Sequence, residues 1–157
     1  MAPLKILTYN VRGLSSQFKR GKLWLELRRL GAQVVFLQET HFTPQSMPRL
    51  PTHLYNQWFH GHSPRPKSAG VAIALHRDFP FVLTDSLSDA QGRYVFLKGT
   101  LYGRPLTLAS LYAPNSGQLS FLESTLDLLA TFREGQLVLG GDFNFCLDPR
   151  ADTSTGR

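Results

Sequence analysis

Asp142 and Asn144 place a carboxylate and a carboxamide two residues apart, just beyond the apolar run Gln136-Leu137-Val138-Leu139-Gly140. These side chains suit a phosphate or a hard metal ion. The run reads as a buried strand, and residues i and i+2 of an extended segment share a face, so the pair can act on one group together. Gly140 and Gly141 lack Cβ atoms and predict a close approach of the backbone to whatever the acid holds. Standing alone, the motif reads first as an Asx turn closing a strand.

Three other polar groups end apolar runs, where open α/β sheets hold their ligands. Residues 4–9 run into Asn10, residues 33–38 into Glu39, and residues 107–111 into Tyr112. Each alone is more often a strand cap or a rim residue than a catalyst. Four in one short chain point to one site.

The elements that must position them follow from periodicity. Strands are predicted over 4–9, 33–38, 70–75 and 136–140, with a short one at 81–83. Residues 94–101 and 105–111 form a hairpin turning at Tyr102-Gly103. Leu23, Trp24, Leu27 and Leu30 recur at helical spacing before Gly31. A second helix covers about 118–133, capped by Ser116 and stopped by Gly135, with Leu119, Leu122, Leu126, Leu129 and Phe132 as its apolar stripe. Residues 43–68, with five prolines, are predicted to be a long surface loop and not sheet. His60 and His62 then read as loop histidines, since two ligands without a nearby carboxylate make a poor metal site.

The outcome is an α/β domain with mixed sheet, whose strands are apolar on both faces and need cover. Two helices supply too little of it. Residues 148–157 look like an unfinished loop, so the domain is expected to be incomplete on its C-terminal side.

A chain of 157 residues is one domain by length, able to bury roughly two-thirds of its unfolded surface. Its 42% hydrophobic content argues against disorder. No run approaches the ~20 apolar residues of a membrane span, and no secretory segment opens the chain. The single cysteine, Cys146, cannot form an internal disulfide, so the expected location is nuclear or cytoplasmic rather than secreted. Seventeen Lys and Arg against eleven acids give a net charge of +6, which favours a polyanionic partner. Much of the basic charge lies in Arg12, Lys19, Arg20, Lys22, Arg28 and Arg29.

Five motifs, Thr8-Tyr9-Asn10-Val11-Arg12-Gly13-Leu14, Leu37-Gln38-Glu39-Thr40-His41, Ala69-Gly70-Val71-Ala72-Ile73, Leu111-Tyr112-Ala113-Pro114-Asn115 and Gly141-Asp142-Phe143-Asn144, together carry a resemblance. In order and approximate spacing the chain resembles the endonuclease/exonuclease/phosphatase superfamily, most closely the apurinic-type endonuclease domains of LINE retrotransposon proteins. The resemblance implies a four-layer α/β sandwich, two mixed sheets face to face with helices outside. It also implies phosphodiester cleavage at the sheet rims.

By the same resemblance Glu39 and Asn10 sit at a Mg²⁺ ion, with Mn²⁺ as the alternative. Tyr112 contacts the scissile phosphate, and Asp142 and Asn144 orient or deprotonate the attacking water and hold the phosphate. Arg12, Lys19, Arg20 and Lys22 are the expected DNA contacts. Arg12 stands where several abasic-site repair enzymes carry an aspartate, which favours the retrotransposon branch. The family's closing Ser-Asp-His segment has no counterpart here, and none of the five histidines replaces it by motif.

The expected function is a Mg²⁺-dependent endonuclease that nicks DNA for retrotransposition, beside the reverse transcriptase region of a parent polyprotein. The competing readings are a phosphoesterase of the same fold acting on a small phosphorylated substrate, and a non-catalytic nucleic-acid-binding fragment.

Overall fold

Strand β1 (Ile6–Asn10) leads to helix α1 (Gln17–Leu30), and the chain says why the helix begins and ends there. The Ser16 hydroxyl accepts a hydrogen bond from the Lys19 amide at 3.4 Å and caps the first turn. At the other end Gly31, with φ 64°, donates its amide to the Leu27 carbonyl at 2.9 Å, closing the helix through a left-handed residue. The chain returns as β2 (Val34–Gln38), parallel to β1 with Asn10 opposite Gln38. This computed structural model describes residues 3–145; Cys146 and the segment 148–157 lie outside the described residues.

The remaining strands are β3 (Tyr55–Gly61), β4 (Val71–His76), β5 (Phe81–Ser88), β6 (Tyr94–Leu101) and β7 (Arg104–Tyr112), after which helix α2 (Gln118–Phe132) leads to β8 (Gln136–Asp142). They form two four-stranded sheets, ordered β1-β2-β4-β3 and β5-β6-β7-β8. Only β1–β2 and β7–β8 are parallel, and each of those pairs is joined through a helix.

Apolar side chains on the inner faces, among them Phe36, Ile73, Leu75, Val95, Leu97 and Leu108, fill the space between the sheets. The outer face of the first sheet is covered by Leu23 and Leu27 of α1 against Val35, Leu37, Ala72 and Ala74. Leu129 of α2 does the same for the second sheet against Phe96, Ala109 and Leu111. The layers are thus helix, sheet, sheet, helix, the predicted four-layer sandwich. Strand β1 stays partly uncovered, with Ile6 41% and Tyr9 46% exposed.

Several elements depart from the sequence expectation. Residues 43–68 are not all loop, because β3 occupies the stretch between Pro51 and Pro64, which holds no proline and supplies Tyr55, Trp58 and Phe59 to an edge strand paired with β4. Strand β5 is eight residues long, continuing beyond Leu83 through a register shift at Leu83/Asp85. Helix α2 is capped by Gly117 and not by Ser116, and its buried residues are Thr125 and Leu129. Leu119 and Leu126 of the expected stripe are 70% and 42% exposed.

The recovered strand β3 also reorders its histidines. Trp58 and His60 share one face of β3, and His62, one residue past its end, continues their stack: the rings of Trp58 and His60 lie 6.3 Å apart and 7° from parallel, those of His60 and His62 5.1 Å and 22°. His60 packs edge-on against Phe42 and keeps its Nδ1 buried without a hydrogen-bond partner. Burial pushes its pKa down to about 4, with His62 adding to the shift.

Between pH ~6.5 and ~4 the unfolded chain takes up a proton that the native chain does not, so stability is full above that window and falls as pH drops through it. The expected loss is on the order of 2–3 kcal/mol. Urea unfolding at neutral pH and near pH 4.5 should show it, and His60→Phe should flatten the difference. An equal slope in wild type and variant would move the effect to other groups.

Candidate active site

The parallel pairs bring four strand ends to one rim. Asn10 closes β1, Glu39 follows β2, Tyr112 closes β7 and Asp142 closes β8, with Asn10 opposite Gln38 and Tyr112 opposite Asp142 in the ladders. Two side-chain hydrogen bonds join the sheets there. Asn10 Nδ2 donates to Asp142 Oδ2 at 2.7 Å, and the Tyr112 hydroxyl donates to Glu39 Oε1 at 2.7 Å. Asn10 Oδ1 in turn accepts from the Arg12 amide at 3.0 Å, which fixes which way the carboxamide faces.

Asn144 joins this cluster by a different geometry from the one expected. It lies beyond the end of β8 with φ 52°, so period-2 alternation does not apply to it. Its amide donates to Asp142 Oδ1 at 3.0 Å in an Asx-type turn, and its Nδ2 donates to the Ala113 carbonyl at 2.8 Å. The turn and the site are the same structure, and both oxygens of Asp142 are engaged.

The glycines before Asp142 make room for neighbouring protein atoms, Gly140 toward the other sheet and Gly141 beside its ladder neighbour. A Cβ on Gly140 would lie 2.5 Å from the Phe36 ring, and one on Gly141 2.5 Å from the Leu111 carbonyl oxygen. Their lack of side chains serves packing within and between the sheets, which corrects the sequence reading.

Backbone strain gathers at the rim. Arg12 (φ 49°), Glu39 (φ 56°) and His41 (φ 63°) are left-handed, a region costly for such side chains and common at functional sites. Gly13 meets Glu39 here, its amide 2.6 Å from the Glu39 carbonyl, and a Cβ on it would strike His41 Nδ1 at 2.6 Å. The result holds Glu39 at a sharp bend with its side chain half-exposed toward Tyr112.

Tyr112 is 7% exposed, and burial pushes its pKa up to about 12, reinforced by the Glu39 carboxylate that accepts its hydrogen bond. Arg93 and Asn144 act in the opposite direction without reversing it. Tyr112 is therefore a hydrogen-bond donor at any working pH. Its ring lies under the Arg93 guanidinium, 4.9 Å from the ring centre, and its amide donates to the Arg93 carbonyl at 2.7 Å.

One layer below, Gln38 is 1% exposed and donates from Nε2 to Thr8 Oγ1 at 3.1 Å and to Ser110 Oγ at 3.4 Å. This buried polar bridge ties β1, β2 and β7 together beneath the site. Neither Arg93 nor this bridge was among the expected site residues. Counting the hairpin back from Tyr102-Gly103 sets Arg93 opposite Tyr112, so that signal was present in the sequence.

Among the expected DNA contacts, two are engaged in local structure. Lys19 Nζ donates to the Arg12 carbonyl at 2.7 Å, and Arg20 Nη1 to the Leu14 and Ser15 carbonyls at 2.8 and 2.7 Å. They hold the loop after β1. Lys22 sits over the exposed Phe18 ring at 4.6 Å, and Arg12 is exposed at the rim. No group of three or more His, Cys, Asp or Glu that could hold a metal occurs among the described residues, and no helix there is long and apolar enough to cross a membrane.

A two-sheet sandwich with Asn, Glu, Tyr and Asp gathered at one rim agrees with the family comparison: residues 7–155 match the Endonuclease/Exonuclease/phosphatase family, and the chain belongs to it. It is 32% identical over 150 residues to a Transposon TX1 uncharacterized 149 kDa protein of Xenopus laevis, covering 94% of this chain and 11% of that one.

Solved structures share the fold. One is D. rerio TDP2 complexed with single strand DNA product (TM-score 0.70, 21% identity, 91% of this chain and 61% of that one). Another is an AP endonuclease from Archaeoglobus fulgidus (TM-score 0.69, 20% identity, 90% and 58%). The endonuclease domain of TRAS1, a telomere-specific non-LTR retrotransposon, is a third (TM-score 0.66, 18% identity, 98% and 66%).

Proposed function

We propose that the chain forms part of a metal-assisted DNA endonuclease of a retrotransposon, hydrolysing one phosphodiester bond to nick target DNA. The observation that carries this is the pair of inter-sheet hydrogen bonds, Asn10 to Asp142 and Tyr112 to Glu39, which gathers a carboxylate from each sheet at one open rim. The transposon relative, far longer than this chain, supports a mobile-element setting; a reverse transcriptase region of the same polyprotein as partner, and the nucleus or cytoplasm as location, are part of the proposal.

The donor set fits Mg²⁺, or Mn²⁺ in its place. Such an ion takes one or two carboxylates and completes its shell with water and substrate phosphate, so the lack of a larger His/Cys/Asp/Glu cluster among the described residues is no obstacle. Glu39, with one carboxylate oxygen outside the Tyr112 bond, and Asn10 would hold it. When bound, it offsets negative charge on the phosphate and lowers the pKa of bound water.

The chain's own groups do the rest. Tyr112, kept protonated, donates to Glu39 or to a phosphate oxygen. Asp142, oriented by Asn10 and by the Asn144 amide, positions a water and accepts its proton. Asn144 offers a carboxamide beside that phosphate. Conversion of supercoiled plasmid to the nicked form with Mg²⁺, abolished by EDTA, tests the proposal. Binding without nicking would favour a non-catalytic module.

DNA affinity should fall steeply with salt, because phosphate contacts release counterions. Arg12→Gln and Lys22→Gln should each lower the slope of log affinity against log salt by up to ~0.9, while Lys19 and Arg20 variants should also loosen the loop they hold. Salt-independent affinity would favour a small phosphorylated substrate.

A further inference from the structure

Three loops leave the rim beside the site and line an open cavity of about 380 Å³. The first continues from Glu39 through Pro44 and Gln45, the second follows β3 through His62 and Pro64, and the third joins β5 to β6 through Ser88 and Asp89. They are tied together, since the Ser63 amide donates to the Phe42 carbonyl at 2.8 Å and the Gly70 amide to the Gly92 carbonyl at 3.0 Å. They are also tied to the site. Asp89 Oδ2 accepts from the Arg93 amide at 2.9 Å, and Arg93 lies on Tyr112.

The lining decides the ligand. The cavity has one carboxylate and no Lys or Arg among its walls, so a phosphate is disfavoured there. Its flat elements are the His62 imidazole, last in the Trp58-His60-His62 stack, and the two proline rings. Burial holds the His62 pKa below its ordinary value, which favours the uncharged ring. The polar elements are Gln45, exposed and without a hydrogen bond among the described residues, Ser88, and the Asp89 oxygen that Arg93 does not use. A carboxylate that accepts only selects a ligand edge rich in donors, such as an exocyclic amino group, over the thymine imide, whose single N3–H lies between two carbonyl oxygens that the carboxylate repels. The volume falls within the ~300–1,000 Å³ of small-ligand sites.

We propose that this cavity is a subsite for an unpaired nucleobase carrying an exocyclic amino group, on the strand whose phosphate lies at Glu39, Tyr112 and Asp142. Adenine, cytosine and guanine offer that group and thymine does not. This rests on the DNA reading above and deepens it.

The experiment uses short single-stranded oligonucleotides bound to the chain, with 2-aminopurine or an abasic sugar placed at successive positions. At one position only, 2-aminopurine emission should be quenched by stacking, and adenine should bind about tenfold more tightly than thymine. Gln45→Ala, at an exposed residue, should erode the preference. Asp89→Asn keeps an oxygen for the Arg93 amide but turns a donor toward the base, and should shift preference toward thymine. His62→Ala should weaken binding about tenfold and His62→Phe restore it.

Equal affinity for base and abasic sugar at every position would overturn the subsite while leaving the DNA reading in place. Thymine bound as well as adenine, or an unchanged preference in Asp89→Asn, would overturn it too. Failure to bind any oligonucleotide would remove the DNA reading and the subsite with it.

Discussion

Asp142→Asn is expected to lower the nicking rate ~10²–10⁴-fold, the range typical for loss of a positioned general base. Both oxygens of Asp142 already accept hydrogen bonds, from Asn10 Nδ2 and from the Asn144 amide. An amide in its place can satisfy only one of those donors and turns its own NH₂ toward the other, so the loss combines missing basicity with a displaced Asn144. Plasmid nicking at saturating Mg²⁺, with unfolding followed in parallel, separates these effects. A folded variant that nicks at the wild-type rate would remove Asp142 from the chemistry. Glu39→Gln should differ from it by raising the Mg²⁺ concentration required, because the lost charge sits on the proposed metal ligand and not on the proposed base.

The four strand-end groups were legible because each follows an apolar run in the sequence, and a parallel pair necessarily ends its strands on the same side. What no local pattern could supply was the pairing across sheets. Asn10 and Asp142 meet through the stacking of two separate sheets, and Tyr112 reaches Glu39 the same way. Asn144 meets Asp142 through a left-handed turn and not through the extended face that period-2 alternation led one to expect. Strand β3 was hidden because proline density over 43–68 was averaged across a stretch whose middle contains none. In α2 the apolar stripe was drawn too wide: Thr125 and Leu129 face the sheet while Leu119 and Leu126 meet solvent. Arg93 was readable from hairpin register alone, but a basic residue in a charge-rich chain gave no reason to count to it.

The largest expected stability effects come from the contact between Gly140 and Phe36, which also separates two explanations for the glycine. Phe36 is fully buried between the sheets, and Phe36→Ala should cost about 3–5 kcal/mol through lost burial and the cavity left behind. Gly140→Ala would put a Cβ 2.5 Å from the Phe36 Cδ2 and 2.9 Å from its Cγ, so the buried ring must shift. Overpacking of that kind should cost about 1–3 kcal/mol. Because the two changes act on the same volume, the double variant should be more stable than the sum of the single losses predicts, the methyl partly filling what the ring vacated. Denaturant unfolding of the four proteins forms the cycle. Strict additivity would mean that Gly140 does not exist to admit Phe36. Unchanged stability of Gly140→Ala with lost Mg²⁺ or DNA binding would return the glycine to the ligand, as its sequence alone had suggested.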